Sequence, residues 1–428
     1  MKIRIRDCSI ISPELSDSLR PADIAVENGR ILSIGSVAPD FQPEHTIDGS
    51  GCIAMPGLVN SHTHVSMSLF RNLADDLDLM DWLQNRIWPL ENRMTPEDVY
   101  WGALLSMAEM IRSGVTAFAD MYFSMDKVAE AAVRAGIRVN AAVGLTGDRA
   151  AAREKMKAFR DFFSEWEGAG GGLVKADIGP HAPYTCDAGC FEEAALCAGD
   201  LGCGIHVHLS ETAAEVDECR KKYGVSPIGL AERCGFFRQR TIAAHCVHVD
   251  AADIELLCMP NVYAAHNPSS NLKLASGFAP VQDLLEAGVR VSLGTDGSSS
   301  NNNLNMFEEM HIAALLGKAV SGKPKALPAD DVLTMATRTG AAALGLPEGT
   351  GLMKKGGPAD LILVRMDGVH MRPLHNPRSA LVYSAQAADV DTVICAGRVL
   401  MEHRRLLTID EDEVVRKAVE SIERLQQT

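Results

Sequence analysis

The stretch Ala54–Met67, AMPGLVNSHTHVSM, decides how the chain is read. An apolar run of strand character passes Gly57 and ends in His62 and His64, separated by a single threonine. On an extended chain alternate side chains share a face. The two imidazoles therefore leave the strand together, an arrangement that suits a metal ion. The same order, an apolar strand that ends in polar residues and runs into an amphipathic helix, recurs along the chain after Ile53.

With CIAMPGLVNSHTH as the first, the strands are VTAFADMY, IRVNAAVGL, VKADIGPHAP, CGIHVHLSE, TIAAHCVHV, NVYAAHNPSSN and VRVSLGTDG. They make eight, the number that closes a parallel barrel. The helices between them carry their own signals: TPEDVYWGALLSMAEMIRSG opens on Thr-Pro and stops at Gly114, and APVQDLLEAG stops at Gly288. Before and after this region, as in PADIAVENGRILSIG and ADVDTVICAGRVLMEH, short alternating strands are broken by glycine turns. The expected fold is α/β: a (β/α)8 TIM-like barrel over residues 54–352, beside a small composite β-sandwich domain built from residues 1–53 and 353–428, with the closing segment DEDEVVRKAVESIERLQQ as a covering helix.

Composition narrows the partners. The formal charge is −15 with no basic run, which argues against nucleic acid or an anionic membrane, since counterion release needs clustered Lys and Arg. No segment approaches the ~20 uninterrupted apolar residues of a membrane helix. The N-terminal MKIRIRDCSIISPELSD alternates like a strand and lacks the apolar centre of a signal peptide. Eleven scattered cysteines read as reduced thiols, and the Cys186/Cys190 pair lacks zinc-site spacing. A cytoplasmic protein that takes a small molecule, and forms a homo-oligomer, is the expectation.

In such a barrel chemistry sits at the carboxyl ends of the strands. His62 and His64 end the first, His181 the fourth, His208 and Glu211 the fifth, His245 the sixth, His266 the seventh and Asp296 the eighth. Independent structural accidents would not all choose one end. Imidazoles with a carboxylate fit Zn2+ or Fe2+ and leave room for water. His206 lies deeper in its strand and reads as buried support, while His266 reads as a supporting polar residue of the mouth.

The motifs PGLVNSHTH, WPLE, GPHAPYT, HLSET, HNPSSNLKLASG and LGTDGSSSNNNLNMFEE resemble the amidohydrolase superfamily over essentially the whole chain. The branch is the cytosolic aminohydrolases that includes 5'-methylthioadenosine/S-adenosylhomocysteine deaminases and s-triazine hydrolases. The resemblance implies one divalent ion, Zn2+ before Fe2+, on His62, His64, His208 and Asp296. Binuclear relatives end strand four in a carboxylated lysine, whereas here His181 stands there and Lys175 lies at the other end. It further implies Glu211 as the proton donor to a ring nitrogen, His245 as the residue that orients the attacking water and Asp296 as its proton acceptor. Glu91 would bind ribose hydroxyls, His181 the ring or ribose, and the loop carrying Trp82 would enclose the 5'-substituent.

The implied reaction is hydrolytic deamination of an adenosine-type nucleoside: 5'-methylthioadenosine, S-adenosylhomocysteine, adenosine or 5'-deoxyadenosine. Guanine, pterin or triazine aminohydrolysis would use the same centre, and WPLE with Glu91 separates the two by suiting a ribose. A lysine-bridged amidase and an assembly module that has lost its ligands fit the residues less well. One departure stands out. Relatives that take S-adenosylhomocysteine offer arginines to its carboxylate from the end of strand three and the loop beyond. Here Val143 occupies the first place, and Arg149 and Arg153 in GDRAAAREK are the remaining candidates. A small neutral 5'-group such as methylthio gains by this.

Overall fold

The computed structural model describes residues 1–12, 18–77 and 79–427; Pro13–Asp17 of the N-terminal run, Asp78 of the loop after the first barrel strand, and Thr428 lie outside the described residues. Eight strands run in sequence order as parallel neighbours: β1 (Leu58–Thr63), β2 (Val115–Tyr122), β3 (Arg138–Leu145), β4 (Val174–Pro180), β5 (Ile205–Leu209), β6 (Thr241–His245), β7 (Val262–His266) and β8 (Arg290–Leu293). The last and first are joined by single bonds instead of a ladder: Asp296 N donates to His62 O at 2.9 Å and Thr295 N to Asn60 Oδ1 at 3.0 Å. The barrel is thus nearly closed, and its seam runs beside two of the expected ligands.

Alternation along the strands sorts the core. Ala117 and Ala119 of β2 cluster with Val59, Ile242 and Ala265 around a helical turn, Gly340–Ala343, that plugs the barrel floor. Phe118 between them joins Met107 and Ile111 of the helix Pro96–Arg112 in the main core. Small inward residues make room for the plug, and Gly340 belongs to the same fit, since a Cβ there would lie 2.9 Å from Val59 Cβ. The helix Pro96–Arg112 begins at Thr95 in a reciprocal cap with Asp98 and stops before Gly114, whose φ is +85°.

The chain ends form one nine-stranded sheet. Cys52–Pro56 pairs antiparallel with Leu361–Arg365. The run CIAMPGLVNSHTH, read as one strand, is therefore two, broken at Gly57, where a Cβ would collide with Thr116. The sheet's faces have different partners. Ile5, Ala54, Leu361, Leu363 and Ile394 pack together, whereas Ile53, Met55, Ile362 and Val393 join the barrel's core. One end folds back on the middle: Ala359 N, just before Leu361–Arg365, donates to Gly29 O in the hairpin at the sheet's edge at 2.8 Å, and Gly397 N donates to Ala359 O at 3.0 Å. A sheet folded over its own core is the small sandwich expected of these segments.

A buried ion pair, Arg138 Nε to Asp360 Oδ2 at 2.9 Å, ties β3 to this sheet. Leaving either charge unpaired would cost about 3–5 kcal/mol. The final helix, Glu411–Gln426, buries Val414, Ala418 and Leu425 and covers the helix Pro96–Arg112. Among the described residues no helix is long and apolar enough to cross a membrane.

Candidate active site

The strand ends bring their polar residues to one cavity of about 350 Å³, and a local irregularity is needed to do it. Val59 and Ser61 face the floor at Gly340. Simple alternation would send Thr63 the same way and turn His62 and His64 aside. The pairing of β1 with β2 shifts register between Asn60 and Thr63, which resets the alternation. His62 and His64 then point into the mouth, at a ring separation of 4.9 Å. Asp120 holds the turn that follows, accepting from Val65 N at 2.7 Å.

Hydrogen bonds at the far side of each ring fix which nitrogen faces inward. His64 Nδ1 lies 2.7 Å from Met121 O, and His208 Nδ1 lies 2.8 Å from His181 O. A carbonyl only accepts, so both rings donate from Nδ1 and present bare Nε2 lone pairs. Those two Nε2 atoms face each other at 3.2 Å. His62 Nδ1 is backed by His206 Nε2 at 2.8 Å, and its Nε2 is buried with no hydrogen-bond partner, 3.4 Å from Asp296 Oδ1. Lone pairs converging on lone pairs and on a carboxylate are repulsive unless a cation lies among them. The donor set therefore fits a divalent ion.

Two overlapping groups have all donor atoms within 4.8 Å of one another: His62, His64 and Asp296, and His62, His208 and His245. Asp296 leaves β8 with a φ of +62°, and its carboxylate accepts from Gly297 N at 2.7 Å, Ser270 Oγ at 2.7 Å and Ser300 Oγ at 2.9 Å. Burial alone would raise its carboxyl. Contact with His62 and the nearby His64 and His245 outweighs this and holds it well below the usual carboxylate range. Burial pushes His62 down to about 4 and His181 to about 3. Neutral imidazoles and an ionised carboxylate are the protonation states that metal binding requires.

Glu211 and His245 stand together, with His245 Nε2 3.9 Å from Glu211 Oε2. His245 Nδ1 is 2.8 Å from Asn271 Oδ1. Burial pushes Glu211 up, the Asp296 charge adds to this, and His245 opposes it. Burial works against a charge on His245, but the Glu211 and Asp296 carboxylates overcome it and raise it. His181 lines the cavity with Nδ1 on Thr185 Oγ1 at 2.8 Å.

The outer wall is the segment Leu79–Glu91, helical throughout with a wide π turn at Leu83–Ile87. Trp82, Leu83, Ile87 and Trp88 line the cavity, with Glu91 at its end. Tyr122 Oη donates to Glu91 Oε1 at 2.6 Å, and burial raises the Glu91 carboxyl. Arg149 and Arg153 do not join the site. Both turn outward on their helix, where Arg149 pairs with Glu192 and Glu193, and Arg153 pairs with Glu193 at 2.8 Å. Two residues beyond Arg153, on another side of the helix, Lys155 reaches the rim instead. His266 is buried beneath the mouth, outside the cavity lining, and burial pushes it down to about 3.

Several participants escaped the sequence reading: Tyr122, Lys155, Ser270, Asn271, Glu215 and Glu309. Glu309, fully buried, accepts from Asn301 Nδ2 at 2.7 Å and Ser269 N at 3.2 Å, and so binds together the two short helices, Pro268–Lys273 and Ser298–Asn301, whose serines hold Asp296. A second acid four residues beyond Glu211, and another in LNMFEE, were the signals available.

Comparison with known proteins agrees with this geometry. Residues 53–400 match the model of the amidohydrolase family. A 5-methylthioadenosine/S-adenosylhomocysteine deaminase of Desulforudis audaxviator is 48% identical over 99% of each chain. Another so named, from Thermoanaerobacter pseudethanolicus, is 46% identical over 97% of each. Among solved structures, a zinc-bound adenosine deaminase from Xanthomonas campestris superposes with a TM-score of 0.95, at 35% identity over 100% of this chain and 99% of that one. The zinc complex of an atrazine chlorohydrolase from Arthrobacter aurescens gives 0.91 at 27% identity, covering 98% and 100%. A chain whose converging histidines ask for a cation, and which matches the family from Ile53 to Leu400, belongs to the amidohydrolase family.

Proposed function

We propose that this chain is a metal-dependent hydrolase that deaminates an adenosine-type nucleoside to its inosine analogue and ammonia, with 5'-methylthioadenosine and S-adenosylhomocysteine as the leading substrates. The observation that carries this reading is that two acids line one cavity: Glu211 beside the histidine centre, and Glu91 at the end of the apolar outer wall. Similarity to the deaminases above supports it.

We assign one Zn2+ per chain to His62, His64, His208 and Asp296. When bound, the ion lowers the pKa of a coordinated water to about 7 and so supplies a nucleophile at neutral pH. The chain does the rest. Glu211, whose carboxyl burial pushes up, is the group that gives a proton to the ring nitrogen as the adjacent carbon is attacked. Asp296, held ionised, accepts the proton that the water gives up and returns it to the exocyclic amine, which leaves as ammonia, while the proton of the new hydroxyl goes back to Glu211 as the carbonyl forms. His245, anchored by Asn271 at Nδ1, directs Nε2 at the attacking oxygen. Tyr122 occupies one oxygen of Glu91, which leaves the other for the ribose hydroxyls. Trp82 and its apolar neighbours receive the 5'-substituent, His181 contacts the ring or ribose, and Lys155 at the rim meets a carboxylate when the substituent carries one. The cysteines, all free and mostly buried, suit a reducing compartment, the cytoplasm.

The test is a comparison of kcat/KM for adenine, adenosine, AMP and the two thioethers. Nucleosides should turn over while adenine is poor, because without a ribose the second oxygen of the half-buried Glu91, the one Tyr122 does not occupy, lacks a partner. AMP should be poor, since among the described lining residues the one cation is the exposed Lys155 at the rim. Activity on guanine or a triazine alone would overturn the assignment.

A further inference from the structure

Glu215 does not line the cavity, yet it is 5% exposed and both its carboxylate oxygens are engaged at the catalytic turn. It occupies the third position of the helix Ala213–Tyr223, whose N-cap is Thr212. Thr212 Oγ1 accepts from Glu215 N at 3.1 Å, and in an ordinary capping box the Glu215 carboxylate would return to Thr212 N. It reaches past that amide. Oε1 accepts from Ser210 N at 3.0 Å and Oε2 from Glu211 N at 2.7 Å.

The turn it grips is strained and coupled to a second one. Ser210 has a φ of +55°, a region that non-glycine residues enter only when their surroundings hold them there. Its carbonyl accepts from Val247 N at 3.0 Å and His248 N at 2.9 Å, while Leu209 O accepts from Cys246 N at 3.1 Å. These amides follow His245, and His245 and Cys246 also have positive φ, +75° and +47°. Two strained turns, carrying the proposed proton donor and its histidine partner, are thus bonded to each other, and one carboxylate fixes the first.

We propose that Glu215 is a positioning residue for the reaction: by holding the Ser210 and Glu211 amides it sets the direction of the Glu211 carboxyl and, through the Ser210 carbonyl, the seat of His245. The inference rests on the reading of Glu211 as proton donor. An amide in place of the carboxylate keeps the size of the side chain but turns a donor toward one of the two peptide N–H groups.

The test compares Glu215→Gln with Thr212→Ala, which removes the helix cap and leaves the Glu215 bonds in place. In Glu215→Gln, kcat for the best nucleoside should fall at least about tenfold, KM should stay within about twofold, metal content should hold, and the melting temperature should fall no further than in Thr212→Ala. Thr212→Ala should lower the melting temperature and spare kcat. A kcat for Glu215→Gln within about twofold of wild type, or an equal loss of kcat in Thr212→Ala, overturns the proposal. Should the Gln variant not fold, Glu215→Asp replaces it: the shorter carboxylate spans only one amide, so kcat falls if the proposal holds and is retained if it fails. Hydrogen exchange at the Ser210, Glu211, Val247 and His248 amides needs no substrate. Faster exchange in the variant is expected, and unchanged exchange overturns the proposal. If the wild type turned over no nucleoside while exchange still quickened in the variant, the functional reading alone would fall.

Discussion

Glu211 is buried with Ser276 Oγ, 3.4 Å from Oε1, as its nearest side-chain donor, so little but its environment decides when it carries a proton. A glutamine there keeps shape and removes the transferable proton. Turnover of Glu211→Gln should collapse by at least ~10²-fold while the melting temperature barely moves. Survival of activity with a loss of stability would mean a structural acid. Glu309 gives the opposite kind of prediction. Burial pushes its carboxyl from 4.5 up to about 7. Between those values the folded chain holds a proton that the unfolded chain has released, so this residue's contribution to stability falls as pH rises through that window. Denaturation should show the wild type losing stability relative to Glu309→Gln as pH rises from 4.5 to about 7, with the difference between the two constant below and above that window. A gap independent of pH would show that Glu309 does not titrate there. The histidines proposed as ligands were legible because they stand at strand ends, whereas Glu215 reads in the sequence as an ordinary helix-start acid and Glu309 was hidden because its bond to Ser269 spans two segments far apart in the chain.

At the scale of elements, the segment after β1 shows how local reading falls short. RNLADDLDLMDWLQNRIWPLE reads as a long loop, rich in Trp and Leu and punctuated by acids, yet Leu79–Glu91 is helical. Leu79, Trp82, Leu83, Ile87, Trp88 and Glu91 follow near-helical spacing, and they are the side chains that wall the cavity. The bulge in β1 was equally silent, since simple alternation already placed His62 and His64 on one face without saying which face was inward. Helix phase also decided the rim. Arg149 and Arg153 turn to Glu192 and Glu193, and Lys155 takes the cavity side. Lys155→Met should lower kcat/KM for S-adenosylhomocysteine about two- to fivefold, the worth of an exposed charge pair, and leave 5'-methylthioadenosine unchanged. Equal losses on both substrates would remove Lys155 from the role of carboxylate partner.

For the whole molecule, the barrel and its composite sheet divide the work. The sheet of the chain ends packs one face on itself and one on the barrel, and the barrel's open end collects the chemistry. That division was readable from the change of texture at both ends of the chain; that Cys52–Pro56 pairs in the sheet was not, because apolar residues continue unbroken from one strand into the next. The central claim is that one divalent ion, held where histidine lone pairs converge, makes this fold a nucleoside deaminase. Metal-free protein prepared with a chelator, titrated with Zn2+ while the adenine absorbance of 5'-methylthioadenosine is followed, tests it directly. The rate should start near zero, rise linearly and level off at one equivalent per chain. A plateau at two equivalents, or full turnover by the metal-free chain, would contradict it.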